Sequence, residues 1–311
     1  MYDKTVKTCV IALGYFDSVH IGHRRVIDTA VKIAEHKRAK CIVFSFDGNL
    51  RAFTVVGEEK YVYSAEERKS LILKRGVDEV LFLPVTRDFL SKDKKEFLEY
   101  LNSTYDITDY VCGEDYRFGR NGDGDVAYLQ EYAAAHKQRL TVAPTERCGK
   151  EKISTGLIKS LLADGDVAKA NELLGENYFV TGVVVRDRGV GRRIGFPTVN
   201  IRLESDRVKL KDGVYYGRAT ENGATYTAII NYGKRPTYGL SERLIEAHLI
   251  GFDGELYGQT VRIVFDGYIR DIMKFTDENA LIKQLKADEE FVKNTRELSA
   301  RDTKENKGET N

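Results

Sequence analysis

The rhythm of apolar residues changes once along this chain, near Tyr178, and that change limits the folds open to it. Before it, β-branched apolar runs alternate with helical spacing. The segments "VKTCVIALGYF" (6–16), "AKCIVFSF" (39–46), "DEVLFLPV" (78–85), "YVCGEDYRF" (110–118) and "RLTVAPTERC" (139–148) read as strands. Between them "HRRVIDTAVKIAEHK", "SAEERKSLILKRG", "SKDKKEFLEYLNSTY" and "DGDVAYLQEYAAAHK" repeat apolar residues at the spacing of one helix face. Ser64 with Glu67 predicts a capping box, whereas Ser91, with Lys94 three residues on, predicts a cap that lacks the reciprocal carboxylate. Such alternation yields a parallel sheet with right-handed crossovers, so residues 1–177 are expected to form an α/β doubly wound domain. Two further helices, over 153–166 and 167–175, are expected to close it.

After Tyr178 the helical spacing disappears. "YFVTGVVVRD", "GVYYGRATEN", "TYTAIINYG", "RLIEAHLIGF" and "QTVRIVFDGYIRD" are short strands punctuated by Gly, Asn and Asp. Only "TDENALIKQLKADEEFVKNTREL" is helical, with Thr276 as its expected N-cap. A small β-barrel with one C-terminal helix, over 178–298, is the simplest architecture. The polar run 299–311 is expected to be a frayed tail.

Charge and composition exclude several functions. Residues 1–180 hold 27 Lys and Arg against 28 Asp and Glu, and residues 181–311 hold 22 against 20, so neither half presents the positive field of a nucleic-acid binder. No run of about 18 apolar residues is present, so no membrane partner is expected. The charged start lacks the apolar core of a signal peptide, which predicts a cytoplasmic protein. Cys9, Cys41, Cys112 and Cys148 are widely spaced with no CxxC, as expected of reduced thiols. The sequence fixes no oligomeric state.

The chemistry concentrates in "GYFDSVHIGH" (14–23). It follows the first strand and opens the first helix, the place where open α/β sheets bind ligands and where a helix start attracts anions. His20 and His23 fall in the first turn, where two imidazole N–H donors and backbone amides can hold a phosphate chain for nucleotidyl transfer. Two other readings exist for the pair. A His-x-x-His metal site would lack the rest of its ligands nearby, and the residues can also be plain surface histidines.

In the second half there is no G-x-x-x-x-G-K-[ST], so phosphates must be held differently. "GVGRRIGFPTVN" offers glycines, among them Gly191 and Gly195, that permit close backbone approach. Pro197 then fixes a turn presenting Thr198 and Asn200. A hydroxyl and an amide carbonyl suit Mg²⁺, which takes few protein ligands alongside waters and phosphates; a Gly-rich hairpin is the plain alternative. Glu246 alternates with apolar neighbours on a strand, which isolates one carboxylate on a face.

These motifs resemble, in order and spacing, the bacterial bifunctional riboflavin kinase/FAD synthetase (FMN adenylyltransferase) family. The carriers are "GYFDSVHIGH", "CGEDYRFGRNGDGDV", "ISTGLIKSLLADGDVAKANELLG", "GRRIGFPTVNI", "DGVYYGRA", "NYGKRPTYG", "IEAHLIGFDGELYG" and "IRDIMKF", covering about residues 8 to 295. The resemblance implies a nucleotidyltransferase-like first domain and a flavokinase barrel, acting on riboflavin, FMN, FAD and ATP with Mg²⁺. It implies that His20 and His23 bind ATP phosphates while Gly14, Phe16 and Asp17 shape the pocket. Asp115, Phe118 and Gly119 would contact nucleotide or flavin, although Phe16 and Phe118 can equally be core residues. Ser154, Thr155 and Lys159 would reach phosphates, the lysine without the guanidinium fork usual there. Glu246 would position and deprotonate the ribityl 5′-hydroxyl. Ser18, Gly156, Gly251, Ile272 and Arg186-Asp187 depart from the usual pattern. Two other functions remain: a flavin-binding regulator derived from such an enzyme with one or both activities lost, and a class I aminoacyl-tRNA-synthetase-like adenylylating enzyme, whose signature also contains "HIGH".

Overall fold

The computed structural model describes residues 8–48, 60–186, 191, 194–203, 206–234 and 243–308. It divides into two compact units, one of Met1–Ser160, Leu173–Gly175 and Asp206–Val208, the other of Leu161–Glu172, Glu176–Ser205 and Lys209–Asn311.

The first unit is built on five parallel strands, β1 (Cys9–Leu13), β2 (Lys40–Phe46), β3 (Glu79–Leu83), β4 (Ile107–Gly113) and β5 (Arg139–Ala143), in the order β3-β2-β1-β4-β5. Every β1 residue is buried, as expected of a central parallel strand covered on both faces. The covering helices include α1 (Ile21–Lys37), α2 (Ala65–Leu73), α4 (Lys94–Thr104) and α5 (Val126–Ala135), with the single turn α3 (Arg87–Leu90) between α2 and α4. Phe44, Phe97, Leu98, Tyr110, Phe118 and Leu129 form the core on one side of the sheet.

The capping box expected at Ser64 is present. At α4 the cap is Asp93 rather than Ser91, and Asp93 makes the full box with Glu96; Ser91 instead ends α3. The carboxylate two residues further on accepts from both Lys95 N and Glu96 N, which a hydroxyl at Ser91 cannot reach. The fifth expected strand divides into β5 and a hairpin, β6 (Arg147–Cys148) and β7 (Glu151–Lys152).

The second unit is a closed antiparallel barrel of β8 (Phe179–Val185), β9 (Thr198–Arg202), β10 (Gly213–Glu221), β11 (Ala224–Lys234), β12 (Arg243–Leu249) and β13 (Thr260–Arg270), in the order β10-β11-β12-β9-β8-β13. The alternation on β12 buries Ile245, Ala247 and Leu249 inside and leaves Glu246 and His248 on the outer face. There α8 (Glu278–Gly308) packs Val292 against Val214 and Ile229.

Three sequence expectations change in this region. The boundary at 177/178 is not a single cut, because α6 (Thr155–Asp164) ends in the barrel unit and α7 (Val167–Leu174) lies mostly within it. The buried Asn171 side chain donates to Phe265 O at 2.9 Å and accepts from Tyr178 N at 2.7 Å, while Lys211 N donates to Leu162 O at 3.2 Å. The helix N-cap is Asp277, whose Oδ1 accepts from Ala280 N at 2.9 Å, rather than Thr276. The helix continues to Gly308 through the expected tail, since no glycine or proline interrupts residues 278–307.

Candidate active sites

The first site lies at the carboxyl ends of β1, β4 and β5, where the strand order reverses on either side of β1. A cavity of about 460 Å³ is lined by Gly14, Phe16, Asp17, His20, His23, Asp115, Ser154, Thr155 and Lys159 among others. The sequence motifs at 14–23 and 153–159 therefore meet around one space. Gly14 is required there: a Cβ would fall 2.6 Å from the Phe16 ring.

His20 is the N-cap of α1, and its Nδ1 accepts from His23 N at 3.1 Å. An accepting Nδ1 carries no proton, so the ring proton of neutral His20 sits on Nε2. The two rings stack at 3.7 Å between centroids and 14° from parallel, and Phe16 meets His23 edge-on at 5.4 Å. Burial pulls the His20 pKa down to about 4, assisted by the Lys152 charge. His23 is held well below the ordinary histidine range by burial, then by His20, Lys152 and Arg68. Both rings are thus neutral N–H donors at pH 7, aligned with the anion-attracting helix start.

Asp17 is buried, accepts from Val62 N at 2.9 Å and pairs with Lys159 at 3.1 Å. Burial raises its pKa against the opposing Lys159 charge. Ser154 accepts from Leu157 N at 3.2 Å, and Ser18 meets Thr155 Oγ1 at 3.0 Å, joining the two motifs directly. Asp115 pairs with Lys152, which also lines the cavity. Phe118 and Gly119 do not line it. Phe118 is a core residue between Phe97 and Tyr116, and Gly119 turns the chain at φ +75° against the start of α4. Lys152 escaped the sequence reading because it is an ordinary basic residue of a hairpin until the fold brings it to the cavity, and Arg68, whose charge acts on His23, is an ordinary helix residue outside the lining.

The second site is on the outer face of the barrel. A cavity of about 430 Å³ is lined by Gly191, Thr198, Asn231, Glu246, His248, Arg270, Ile272, Met273 and Leu281 among others. Strand register composes it: Glu246 lies opposite Asn200 on one neighbour and Asn231 on the other, and His248 lies opposite Thr198. Thr198 Oγ1 donates to Glu246 Oε1 at 3.2 Å. His248 Nδ1 lies 2.8 Å from Pro197 O and packs on Phe196, fixing the turn before β9. Gly195, at φ +82°, Pro197 and Asn200 support this wall without lining the cavity. Gly191 closes its own turn, accepting from Phe196 N at 2.8 Å. Arg270 grips the buried Asp288 of α8 through Nε at 2.9 Å and Nη2 at 2.7 Å, which locks the helix beside the site. Most of "NYGKRPTYG", from residue 235 on, lies outside the described residues.

Among the described residues no group of three or more His, Cys, Asp or Glu can hold a metal. Thr198 and Asn200 are a different kind of donor set. Asn200 Oδ1 is buried without a hydrogen-bond partner among the described residues, and its carbonyl suits a hard cation. Cys9, Cys41 and Cys112 are buried free thiols, each pushed up to about 12 by burial, while the free Cys148 is half-buried. No helix of the described residues is long and apolar enough to cross a membrane.

Comparison with known proteins matches this division. The FAD synthetase family model covers residues 3–157 and the riboflavin kinase model residues 174–296. The bifunctional riboflavin kinase/FMN adenylyltransferase of Listeria monocytogenes is 32% identical over 284 residues, 90% of each chain. Its Bacillus subtilis counterpart is 32% identical over 288 residues, again 90% of each. A crystal structure described as a macrolide-efflux protein from Streptococcus pneumoniae aligns with TM-score 0.85 and 30% identity, covering 93% of this chain and 95% of that one. The activity in that name has no counterpart in either family model. With both modules matched and near-full-length relatives above 30% identity, this chain belongs to the bifunctional riboflavin kinase/FMN adenylyltransferase family.

Proposed function

We propose that the barrel phosphorylates riboflavin to FMN and that the α/β unit adenylylates FMN to FAD, each in its own cavity. The observation that carries this reading is the pair of cavities, each lined by the polar residues of its own module's motifs. In the barrel, the riboflavin 5′-hydroxyl attacks the γ-phosphorus of ATP, an O–P bond forms, and ADP leaves. Glu246 accepts the hydroxyl proton, and its bond from Thr198 orients the carboxylate for that task. Thr198 and Asn200 would hold Mg²⁺, which neutralises charge on the ATP phosphates when bound.

In the α/β unit, an FMN phosphate oxygen attacks the α-phosphorus of a second ATP and pyrophosphate leaves. His20, His23 and the first-turn amides of α1 donate to the phosphates from one side, and Ser154, Thr155 and Lys159 approach from the other. Neutral imidazoles suit this role, because they donate without first shedding a competing counter-ion. Neither transfer requires a covalent enzyme intermediate. We place the protein in the cytoplasm, where its nucleotide substrate is made.

The test is to incubate the protein with Mg-ATP and either riboflavin or FMN, oxidised and reduced, and to separate the flavins chromatographically. Conversion of riboflavin to FMN and then FAD is the expected result. Accumulation of FMN with no adenylylation of added FMN would overturn the first-unit reading, and tight FMN binding without turnover would favour a flavin-binding regulator.

A further inference from the structure

Arg68 is a buried cation with no carboxylate partner among the described residues. It is 2% exposed, and its hydrogen bonds go to the Tyr15 carbonyl at 2.9 Å, the Ser45 hydroxyl at 3.3 Å and the Phe46 carbonyl at 2.6 Å. Its guanidinium also lies over the rings of Tyr15 and Phe82. Burial pulls its pKa down, opposed by Tyr15, Asp17 and Asp47, so the guanidinium carries a desolvation cost that carboxylates at a distance offset only in part. The location suggests what offsets that cost.

The loop that Arg68 grips leads directly into the first cavity. Ser45 Oγ donates to the same Tyr15 carbonyl at 2.7 Å, so two donors fix the peptide that precedes Phe16. Phe16 then adopts φ +50° and Val19 φ +44°, left-handed values that non-glycine residues, and β-branched ones above all, take only when their surroundings impose them. Between these two strained positions lie Asp17 and Ser18, and immediately after them His20 caps α1. The Phe16 ring in turn sets the edge contact with His23. The charge of Arg68 also acts on Asp17 and His23, adding positive potential behind the phosphate-binding face.

We infer that Arg68 is a positioning residue of the adenylyl-transfer site: by holding the Tyr15 carbonyl together with Ser45, it imposes the strained Phe16–Val19 turn that aims Asp17, His20 and His23 into the cavity. This deepens the adenylyltransferase reading and rests on it. Lysine at position 68 keeps the charge, yet one ammonium cannot span three acceptors in the planar fork that arginine provides.

The experiment compares wild type with Arg68→Lys, Arg68→Met, Ser45→Ala and the Arg68→Lys/Ser45→Ala double variant. FAD formation from FMN, riboflavin phosphorylation and calorimetric ATP binding are measured on the full chain. Melting curves and far-ultraviolet circular dichroism give the folded fraction of each variant, and riboflavin phosphorylation, in the other unit, reports whether the effect stays local. The expected result is a fall of about 10- to 100-fold in adenylylation kcat/KM for Arg68→Lys, larger for Arg68→Met, with phosphorylation unchanged. Ser45→Ala should cost several-fold, and the double variant should lose less than the product of the single losses, because both donors act on one carbonyl. Adenylylation constants equal to wild type per folded molecule, with only a lower melting temperature, would overturn the inference, as would multiplicative losses in the double variant. Should wild type make no FAD, the underlying reading fails, and ATP affinity alone then decides: unchanged affinity in Arg68→Lys counts against the positioning role, and weakened affinity supports it.

Discussion

The two sites hold phosphate chemistry on very different frameworks. In the α/β unit the polar groups come from a strained loop, a helix start and the head of α6, brought together across the ends of three parallel strands. In the barrel they come from neighbouring strands, and ladder register alone places Asn200, Glu246 and Asn231 in one row. A register row is rigid and its geometry survives the loss of one side chain. A loop held by Arg68, Ser45, the Asp17–Lys159 pair and the His20 cap depends on each of its supports.

The largest test of this contrast is Glu246→Gln. It keeps shape and the acceptor for Thr198 but removes the proton acceptor, so riboflavin phosphorylation should fall by about 10²- to 10⁴-fold while FMN adenylylation and the melting curve stay unchanged. A fall in both activities would show that the barrel row also supports the other unit.

His23→Ala should instead reduce adenylylation by about 10²-fold, and His20→Ala should do the same while also destabilising α1. Loss of the cap costs about 1 kcal/mol. A steady-state comparison of the two variants at matched folded fraction separates the donor role from the capping role. Retained adenylylation in His23→Ala would break the assignment.

Acidity should act on one unit and spare the other. His20 has a folded pKa of about 4 against 6.5 unfolded, so between these values the unfolded chain binds the extra proton. Its contribution to stability is complete above about pH 6.5 and is lost as pH falls toward 4, on the order of 3 kcal/mol in all. His23, shifted in the same direction, steepens the loss. The barrel has only the half-exposed His248. Melting curves recorded from pH 7 to pH 4.5 should show the α/β unit weakening first, and a transition that stays coincident for both units would contradict this.

How much of this was legible in the sequence follows the same division. Parallel strands announce themselves as continuous apolar runs, and β1 to β3 stand where the pattern put them. β9 carried no such signal: "TVNIR" is short and mixed, because one of its faces carries Thr198 into the second cavity. Caps went astray at Ser91 and Thr276, where an aspartate one or two residues on competes better for the helix amides. Of the residues singled out within motifs, His20 and His23 line the first cavity and Thr198 and Glu246 the second. Phe118 and Gly119 belong to a motif yet serve the core and a turn, while Lys152 lines the cavity, and Arg68 grips the loop leading into it, from stretches with no distinguishing pattern. Composition is blind to such residues because only the fold decides what faces the cavity.

The smallest expected effect sharpens the contrast best. Ser18 is fully buried in the loop, and its hydroxyl meets Thr155 at the head of α6, so beside the Asp17–Lys159 pair it joins the two phosphate-facing motifs directly. Ser18→Ala removes a neutral hydrogen bond of about 1 kcal/mol net without opening a cavity or stranding a charge. If the loop's aim is set cooperatively, adenylylation should fall about 2- to 10-fold, mainly through a raised KM for ATP, since Thr155 loses its orientation before the chemistry is touched. The matching change in the barrel, His248→Gln, removes the ring that steadies Pro197 while the ladder of β9 and β12 stays intact, and should change riboflavin phosphorylation less than 2-fold. Steady-state constants for both variants on both reactions decide the matter. A barrel more sensitive than the loop would mean that strand register does not confer the tolerance argued above, because backbone pairing then fixes where Thr198 sits but not how its hydroxyl is aimed.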